Sequence, residues 1–508
     1  MEWYSQVKLQ LTPVDTLLIL TKYQNFESGY NFQHYDLDGA ARTNRYYRIT
    51  EAQHPLALVG WHREWSPGIH TMVLGGRLEG KQTLSDVGVN QLYLNTNRLG
   101  QVTGAHSQGF AQTGEDVGGM DLEYGLNLTI YTAELNQIIA GPYHTTVFGA
   151  RYQNGTFDTY NLLHNITNLS NPGEIYLFNG REASRFQEGF ERISGYGYHA
   201  WEFLPGIQVT AGLTYDIIRF PANFRHPPLT PGQTERNRWS PKAALIWQAQ
   251  PWLTVRAIYS QALGGVSLDE SFRLEPVQIA GFTQGYRSVV SESVISSVSG
   301  PRFDVIGGAF DLKFPTYTYF GVVAEHISSS VERDIGVFAG ASTGPLGNYR
   351  PFATSEELDY DETTLRLTAN QLLGEAWSVG AAYRFTHARL RQGLPDIPAS
   401  VFADANRTES ASLHVGGVFA LFNHPSGFYA RADARWFAQS NEGYTPALRG
   451  DSFPQFDVQV GYYFWRRRGQ IALGGFNLSG EDYHLNPLTY YADLPRDRTI
   501  MVRFGLAY

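Results

Sequence analysis

The sequence contains no cysteine in its 508 residues. The chain therefore has no disulfide framework, no thiolate metal ligand and no thiol nucleophile. Lysine is nearly as scarce, because almost all basic residues are arginine, and the formal net charge is -9. A surface that binds nucleic acid is expected to be basic, so this balance argues against a nucleic-acid partner.

Long apolar runs are missing as well. No stretch approaches the roughly 18 consecutive apolar residues of a transmembrane helix. The opening residues, MEWYSQVKLQLTP, have neither the basic start nor the apolar middle of a secretory signal peptide. Taken alone, these absences indicate a soluble cytosolic protein. A search for long apolar runs does not detect proteins that cross a membrane with strands, because each strand is short and alternates apolar with polar residues.

The residues that are abundant favour strands. Aromatic residues make up 14% of the chain and glycine contributes 52 residues, whereas only 17% of residues are charged. This composition is rich in strand formers and poor in the residues that helices favour. No Pro/Ser-rich linker or charge block divides the chain, so we expect residues 1–508 to form one domain.

The stretch GFYARADARWFA, residues 427–438, shows a pattern that recurs along the chain. Alternate positions from Phe428 to Trp436 are apolar, and the positions between them include Arg431, Asp433 and Arg435. A period of two is that of a β-strand, whose side chains point alternately to opposite faces. The same alternation runs through residues 122–132, 207–215, 377–387, 455–464 and 499–508.

Connections between these strands alternate in length. Very short turns recur at Pro13–Asp15, Ser66–Gly68, Ala140–Pro142, Leu204–Gly206, Gln250–Pro251, Phe314–Pro315, Gly374–Glu375, His424–Ser426 and Arg466–Gly469. Irregular stretches are expected at 28–45, 82–121, 153–189, 221–238, 263–301, 329–360, 389–407, 441–453 and 479–496. Strands of about ten residues with such connections are typical of an outer-membrane barrel. We predict an all-β fold, an antiparallel transmembrane β-barrel of about nineteen strands with short periplasmic turns and long extracellular loops.

A soluble all-β protein, such as a propeller or a stack of sandwiches, shows the same alternation. No repeat of about 40 residues with a blade motif supports a propeller. Tryptophans also cluster at the expected strand ends, where a membrane interface would hold them. The interface tryptophans we predict are Trp65, Trp252, Trp377, Trp436 and Trp465.

If the chain is a barrel, the Ala/Trp face of residues 427–438 meets lipid and the charged face lines a polar lumen. The predicted lumen-lining residues are Arg384, Arg431, Asp433, Arg435 and Asp457. These charges either neutralise one another along the wall or line a solute path, since charged rings tune the selectivity of pores. In the long loops, the candidate ligand-binding residues are Arg273, Glu275 and Gln278, because loops usually carry function.

Two stretches resemble the barrels of TonB-dependent receptors. Residues 239–270, WSPKAALIWQAQPWLTVRAIYSQALGGVSLDE, resemble a hairpin in which a Ser-Pro-Lys strand, a short turn and a strand ending in Tyr-Ser precede a long loop. Residues 475–487, GFNLSGEDYHLNP, resemble the penultimate strand, where Asn-Leu precedes an Asp/Glu-Tyr pair. In such barrels a terminal aromatic is recognised by the barrel-assembly machinery, which assigns this signal to Phe504, Leu506 and Tyr508.

The resemblance implies a barrel of 22 strands, a globular plug in its lumen and an N-terminal box that engages a TonB-type energy coupler. Against that pattern, about three strands, the plug and the box are missing. We therefore expect Met1 to begin an N-terminally truncated barrel that also lacks a signal peptide. The coupler is expected as a partner only if a preceding region carries the box.

The resemblance implies a receptor-type outer-membrane transporter for a large scarce nutrient, either a metal chelate or an oligosaccharide. Outer-membrane lipid and the assembly machinery are the other expected partners, and no cofactor or metal is expected. A passive porin, a barrel enzyme and a structural or adhesive protein stay open as alternatives. The G-x-S-x-G match around Ser342 lies in a Gly-rich loop with no helix expected after it, so no catalytic residue is predicted.

Overall fold

The computed structural model describes residues 2–29, 47–89, 91–108, 120–165, 181–266, 272–284, 299–340, 349–445, 447–489, 491 and 494–506. Nearly all regular structure in these residues is β-strand, with a short 3-10 helix at Ala403–Ala405. None of them forms a helix that is long and apolar enough to cross a membrane.

The strands follow one another along the chain with few other elements between them. The first twelve are β1 (Glu2–Gln10), β2 (Asp15–Ser28), β3 (Arg48–Ser66), β4 (Ile69–Val89), β5 (Gln91–Thr96), β6 (Val102–Gln108), β7 (Met120–Ala140), β8 (His144–Asn165), β9 (Arg181–Leu204), β10 (Ile207–Asn223), β11 (Thr230–Gln250) and β12 (Leu253–Leu263). The others are β13 (Gln278–Ile279), β14 (Phe282–Thr283), β15 (Arg302–Lys313), β16 (Thr318–Gly340), β17 (Arg350–Leu373), β18 (Trp377–Gly393), β19 (Asn406–Asn423), β20 (Phe428–Glu442), β21 (Ser452–Phe464), β22 (Gly469–Phe476) and β23 (Thr499–Leu506).

The main sheet has 21 strands, and all but the β5–β6 hairpin form one antiparallel meander in chain order. The hairpin joins the sheet through a parallel pairing of β5 with β16, in which Tyr93 lies opposite Phe338. The strands β13 and β14 form a small separate sheet. The predicted antiparallel barrel of about nineteen strands is confirmed.

The short turns are confirmed at all the predicted places, at one end of the meander. Glycine is required at two of them by backbone conformation and by space. Gly68 has a φ of 84°, and a Cβ there would lie 2.3 Å from the carbonyl oxygen of Ala140. Gly427 has a φ of 101°, and its Cβ would lie 2.3 Å from the carbonyl oxygen of Tyr463. These close approaches let the turns pack against the next strand, as where the Ala140 amide donates to Gly68.

The outer surface carries an apolar belt edged by aromatic residues. On β11, Trp239 and Trp247 point outward and are 62% and 44% exposed. The outward positions between them are Pro241, Ala243 and Leu245. Beyond Trp239, toward the long loops, the outward residues become polar. Because lipid accepts apolar side chains and interfaces hold tryptophan, the stretch from Trp239 to Trp247 marks the depth of the membrane.

Along the longer strands, the apolar side chains point outward in one half and inward in the other. On β7, Tyr131 and Leu135 point outward and are exposed, but Leu122, Tyr124 and Leu126 point inward and are buried. The outward positions of that upper half are polar, including Glu123 and Asn127. The upper part of the strand therefore stands in water above the membrane with its apolar face toward the lumen. The rule that the apolar face meets lipid holds only for the lower half.

This change of face explains where the expected strand lengths are wrong. Strands of about ten residues cover only the membrane, whereas β7 has 21 residues and β17 has 24. The expected irregular stretches at 153–189 and 329–360 are in large part strand, because β8, β9, β16 and β17 extend through them. Within the expected loop 82–121, β5 and β6 form a hairpin.

The extended upper walls enclose an apolar core, which we call the outer cluster. Its fully buried members include Leu56, Leu78, Tyr93, Met120, Tyr124, Leu128, Ile130, Phe157, Leu163, Phe190 and Phe338. The β5–β6 hairpin contributes Tyr93, whose ring stacks on Phe338 with centroids 5.3 Å apart. The outer cluster thus joins the inner faces of strands from β2 to β16 at the extracellular end.

Two strands border the meander on one side only. Within the described part of the chain, β1 pairs only with β2 and β23 pairs only with β22. Both strands are exposed over nearly their whole length. The sheet therefore has two free edges in this structure.

Candidate functional site in the barrel lumen

The strand that shows the clearest alternation in the sequence has its two faces on opposite sides of the wall. On β20, Phe428 and Trp436 point outward and are exposed, whereas Tyr429 and Phe437 point inward and are buried. The charged side chains of the same strand occupy the alternate positions between Tyr429 and Phe437, so they point the same way and face the lumen.

Four of the five predicted lumen charges lie on β20 and β21 and form two ion pairs. Arg431 holds Asp433 with two hydrogen bonds, Nε to Oδ2 at 2.7 Å and Nη2 to Oδ1 at 2.8 Å. Arg435 donates to Asp457 at 2.9 Å. Asp433 and Asp457 lie directly opposite in the register of the two strands. Because like charges in that position repel, each carboxylate needs its own arginine.

The remaining predicted lumen residue, Arg384, is on β18 and donates from Nε to the hydroxyl of Thr386 at 3.0 Å. Asp457 also accepts a hydrogen bond from the backbone amide of Asn477 at 2.9 Å. This contact links the charged wall to residues 477–489, 491 and 494–498, which we call the inner segment. The charges therefore hold a folded-in piece of chain as well as each other.

The inner segment enters the lumen between β22 and β23 and is fixed by Asn477. The Asn477 side chain is fully buried, and its Nδ2 donates to the carbonyl oxygens of Glu481, Pro495 and Arg496 at 2.9 to 3.0 Å. Further along, the ring of Tyr483 stacks on Phe453 with centroids 5.1 Å apart. The motif that resembled a penultimate strand thus continues into a lumen-filling segment.

A second segment, residues 272–284, which we call the wall-bound segment, also folds into the lumen. It contains the three predicted loop ligand-binding residues. Glu275 is buried against the wall, where Tyr198 Oη donates to its carboxylate at 2.5 Å. Arg273 is half-buried and Gln278 is exposed. The structure therefore places these residues inside the barrel and not on an external loop tip, because the connection from β12 to β15 turns inward.

The wall that holds the wall-bound segment was not predicted from the sequence. Its contacts come from Glu134 on β7, Tyr196 and Tyr198 on β9, and Lys242 on β11. A buried ion pair, Arg192 Nη2 to Asp216 Oδ1 at 3.1 Å, lies nearby. The alternation of residues along β9 could have predicted part of this wall. Its inward positions include Arg192, Ser194, Tyr196 and Tyr198.

A small cavity lies near the extracellular end, between β10, β11 and β16. Its lining includes Phe220, Arg225, His226, Arg236, Arg333 and Asp334. Burial and the charges of Arg333 and Arg225 lower the pKa of the His226 imidazole well below its ordinary value of 6.5. His226 is therefore neutral at pH 7.

The aromatic and terminal residues singled out in the sequence lie on the outer surface. Trp65, Trp252, Trp377 and Trp465 are exposed near the short turns, and Trp436 is exposed at the opposite border of the belt. Phe504 and Leu506 are exposed on β23. Tyr508 and Ser342 lie outside the described residues. The residues that the structure describes contain no group of three or more His, Cys, Asp or Glu side chains that could hold a metal ion.

An antiparallel wall with an aromatic-edged apolar belt outside and paired charges inside defines an outer-membrane barrel of the transport class. The family model described as TonB-dependent receptor-like β-barrel matches residues 8–319. The chain belongs to this family and is an outer-membrane protein that serves nutrient transport. Members of the family are receptors and transporters, which agrees with the prediction that the chain is not an enzyme.

Solved structures show the same fold. The siderophore receptor PiuA from Acinetobacter baumannii superposes with a TM-score of 0.58 at 10% identity, over 100% of this chain and 74% of that one. The ferric citrate transporter FecA gives a TM-score of 0.59 at 13% identity, over 99% of this chain and 69% of that one. The closed form of the ferric-catecholate import receptor Fiu from E. coli K12 gives 0.55 at 11% identity, over 99% and 74%. No curated protein matches the sequence.

Proposed function

We propose that this barrel is the wall of a receptor-type transporter that takes up a large, scarce nutrient, with a metal chelate as the first candidate. The choice of a metal chelate is supported by the structures that share this fold, which are a siderophore receptor, a ferric citrate transporter and a ferric-catecholate receptor. At 10 to 13% identity these proteins share the fold with this chain. An oligosaccharide is the second candidate.

The observation that carries the proposal is the apolar packing inside the wall. The outer cluster, the wall-bound segment and the inner segment lie within the wall at different places. An open channel for passive diffusion needs a water-filled path, whereas the outer cluster buries apolar side chains of strands from β2 to β16 against one another. The two segments each pack against adjoining strands of the wall. Apolar packing inside the wall favours a transporter that opens on demand, and we propose that opening is driven by a TonB-type coupler.

The proposal is tested by uptake in the bacterium that makes the protein. Cells with and without the gene are grown under iron limitation and given ferric citrate, a ferric catecholate or a ferric hydroxamate, each labelled with radioactive iron. We expect deletion to abolish uptake of one of these chelates, and a protonophore to abolish the same uptake in wild-type cells. The matched control is a strain complemented with the gene on a plasmid.

The alternatives give different results. Uptake that depends on the gene but survives the protonophore would identify a passive channel. Growth on an oligosaccharide that depends on the gene, with normal uptake of every chelate, would replace the chelate with a glycan. If deletion changes neither kind of uptake, the transport proposal is wrong and an adhesive or structural role gains support.

A further inference from the structure

The turn between β21 and β22, residues 465–468, has the sequence Trp-Arg-Arg-Arg and carries three positive charges. The other short turns, from Pro13–Asp15 to His424–Ser426, contain no lysine or arginine. Residues 458–480 contain no aspartate or glutamate, so the three cations have no acidic neighbour along the chain. In a chain whose formal net charge is -9, the positive charge of the periplasmic turns is thus concentrated in one place.

The three arginines of this turn, Arg466, Arg467 and Arg468, are exposed. Within the described part of the chain, none of them forms an ion pair, whereas Arg431 and Arg435 on β20 are each paired with an aspartate. A guanidinium presents five N–H donors in a planar fork that matches the oxygens of a phosphate or a carboxylate. The turn therefore offers a set of donors suited to an anion that comes from outside the chain.

The backbone of the turn is one that favours glycine. Trp465, Arg466 and Arg467 have φ values of 49°, 55° and 68°, and the amide of Arg468 donates to the carbonyl oxygen of Trp465 at 3.1 Å. Residues with a Cβ adopt positive φ at a cost in free energy, whereas glycine does so freely, as Gly68 does at another turn. The conformation alone would be served better by glycine. The presence of arginine there points to a role beyond closing the hairpin.

Aromatic rings place the turn at the border of the lipid belt. Phe464 continues the outward series of β21 that runs from Phe456 to Tyr462. Its ring centroid lies 5.0 Å from that of Trp465 and 6.3 Å from that of Phe504 on β23. Trp465 is 70% exposed. Since aromatic rings occupy the membrane interface and arginine extends its charged head into water, the guanidinium groups lie at the level of the lipid phosphates.

We propose that residues 465–468 bind the phosphate of an anionic phospholipid in the periplasmic leaflet, with the three arginines as donors and Trp465 at the border of the acyl chains. Charge complementarity selects this occupant, because guanidinium groups form paired hydrogen bonds with phosphate oxygens and the bilayer presents phosphates at this level. An acidic segment of a periplasmic protein is the competing occupant. The inference goes beyond the proposed function and does not depend on which nutrient the barrel carries.

The test uses the full-length protein purified in detergent, with cardiolipin or phosphatidylcholine added and the bound lipid counted by native mass spectrometry. Phosphatidylcholine carries a phosphate but no net charge, so the wild type should bind cardiolipin more tightly. Combining Arg466→Gln, Arg467→Gln and Arg468→Gln should lower the cardiolipin affinity by roughly tenfold to a hundredfold, given the attraction of each arginine to an anionic lipid surface. Lysine at the same three positions should retain most of the affinity, because the charge remains.

The matched control combines Arg98→Gln, Arg389→Gln and Arg391→Gln. These three arginines are also exposed and form no ion pair with any residue that the structure describes, but they lie toward the extracellular end. Their loss should leave the cardiolipin affinity at the wild-type level. Glycerol phosphate is the probe for a free anion, and it should displace cardiolipin only weakly.

A glycine variant separates binding from folding. In Arg466→Gly combined with Arg467→Gly, the backbone keeps its positive φ without strain. We expect this variant to fold at least as well as the wild type in the heat-modifiable shift on gels, but to bind cardiolipin more weakly. It carries the test if the glutamine variant misfolds.

Several results would overturn the lipid site. One is equal binding of cardiolipin and phosphatidylcholine by the wild type, and another is an unchanged cardiolipin affinity in the glutamine or glycine variant. An equal loss in the control with three extracellular arginines replaced would show an effect of net charge alone. Tight binding of glycerol phosphate would replace the lipid with a free anion. Absent lipid binding, together with a crosslink from position 467 to a periplasmic protein in cells, would assign the turn to a protein partner.

Discussion

At the scale of single residues, Asn477 shows how one side chain can hold a segment in place. It is fully buried and has a φ of 49°. The two N–H groups of its Nδ2 are shared among three carbonyl oxygens of the inner segment, and its Oδ1 accepts from the Glu481 amide. Asparagine tolerates positive φ better than alanine does. The side chain therefore supplies both the turn and its hydrogen bonds.

We expect Asn477→Ala to lower the free energy of unfolding by about 3 kcal/mol, since each buried hydrogen bond contributes about 1 kcal/mol. Guanidinium titration of the protein folded into lipid vesicles measures the change. The control is Asn97→Ala, because Asn97 makes similar turn contacts to Leu99 and Gln101 on an exposed hairpin. A loss at Asn97 as large as that at Asn477 would contradict the assignment of a buried anchor.

A second residue, His226, predicts a pH dependence. Its pKa in the folded protein is lowered well below 6.5 by burial and by Arg333 and Arg225. In the opened loop the imidazole titrates near 6.5 and binds a proton that the folded form does not. The stability of residues 224–229 is therefore complete above pH 6.5 and is lost as the pH falls, by at most about 1.4 kcal/mol per unit.

Hydrogen exchange at residues 224–229, corrected for the intrinsic rate, measures this loss between pH 7.5 and pH 5.5. The groups around His226 are Arg225, Arg236, Arg333 and Asp334. His226→Gln cannot take up the proton, so its exchange should no longer depend on pH. The control His424→Gln, at an exposed turn, should keep the wild-type dependence. A pH dependence that persists in His226→Gln would assign it to another group.

At the scale of one strand, β18 offers a comparison of its two faces with two adjacent alanines. Ala381 and Ala382 are both exposed, but Ala381 follows the outward pattern of Trp377 and Val379, whereas Ala382 follows the inward pattern of Arg384. An arginine in the lipid belt costs about 2–4 kcal/mol, but a polar lumen accepts it. The face that a strand position occupies should therefore decide its tolerance.

We expect Ala381→Arg to reduce the folded fraction strongly and Ala382→Arg to change the free energy of unfolding by less than about 1 kcal/mol. The heat-modifiable shift on gels and a denaturant titration measure both. Equal losses in the two variants would mean that β18 does not separate lipid from lumen at this position.

The sequence predicts the order of the strands and their two faces better than it predicts the strand lengths and the segments that fold into the lumen. The turn at Ser66–Gly68 and the two faces of residues 428–437 are local features, set by glycine, proline and a period of two. The upper half of β7 has the same period, but its apolar face points to the lumen, because water replaces lipid above Tyr131. A period of two does not say which face meets which solvent.

The lumen contacts were only partly predictable for a different reason. Arg431 and Asp433 lie two residues apart, so their shared face is evident from the sequence. Glu134 and Glu275 come together across 141 residues, through an inward bend of one loop. The chemistry of Glu275 in the sequence suggested a ligand site, but its proximity to Lys242 exists only in the folded barrel.

At the scale of the whole molecule, the two free edges predict further pairing. Within the described residues, the outer sides of β1 and β23 have no strand partner. In a bilayer every backbone polar group must be paired. We therefore expect additional strands, from the same polypeptide or from a second chain, to close the barrel. Intact mass and native mass spectrometry of the protein from its membrane distinguish a longer polypeptide from an assembly. A monomer with the mass of these 508 residues, stable in lipid, would contradict this expectation.

The apolar belt also has a consequence for the membrane itself. Trp239 and Trp247 are eight positions apart on one strand, which is about 26 Å at 3.3 Å per residue. With the usual strand tilt of about 40°, the hydrophobic thickness is about 20 Å. A typical bilayer core is about 30 Å thick, and the bacterial outer membrane is thinner than average. Folding should therefore be more complete in vesicles of 12-carbon lipids than of 18-carbon lipids, and in a thick membrane the hydrophobic mismatch would oppose insertion.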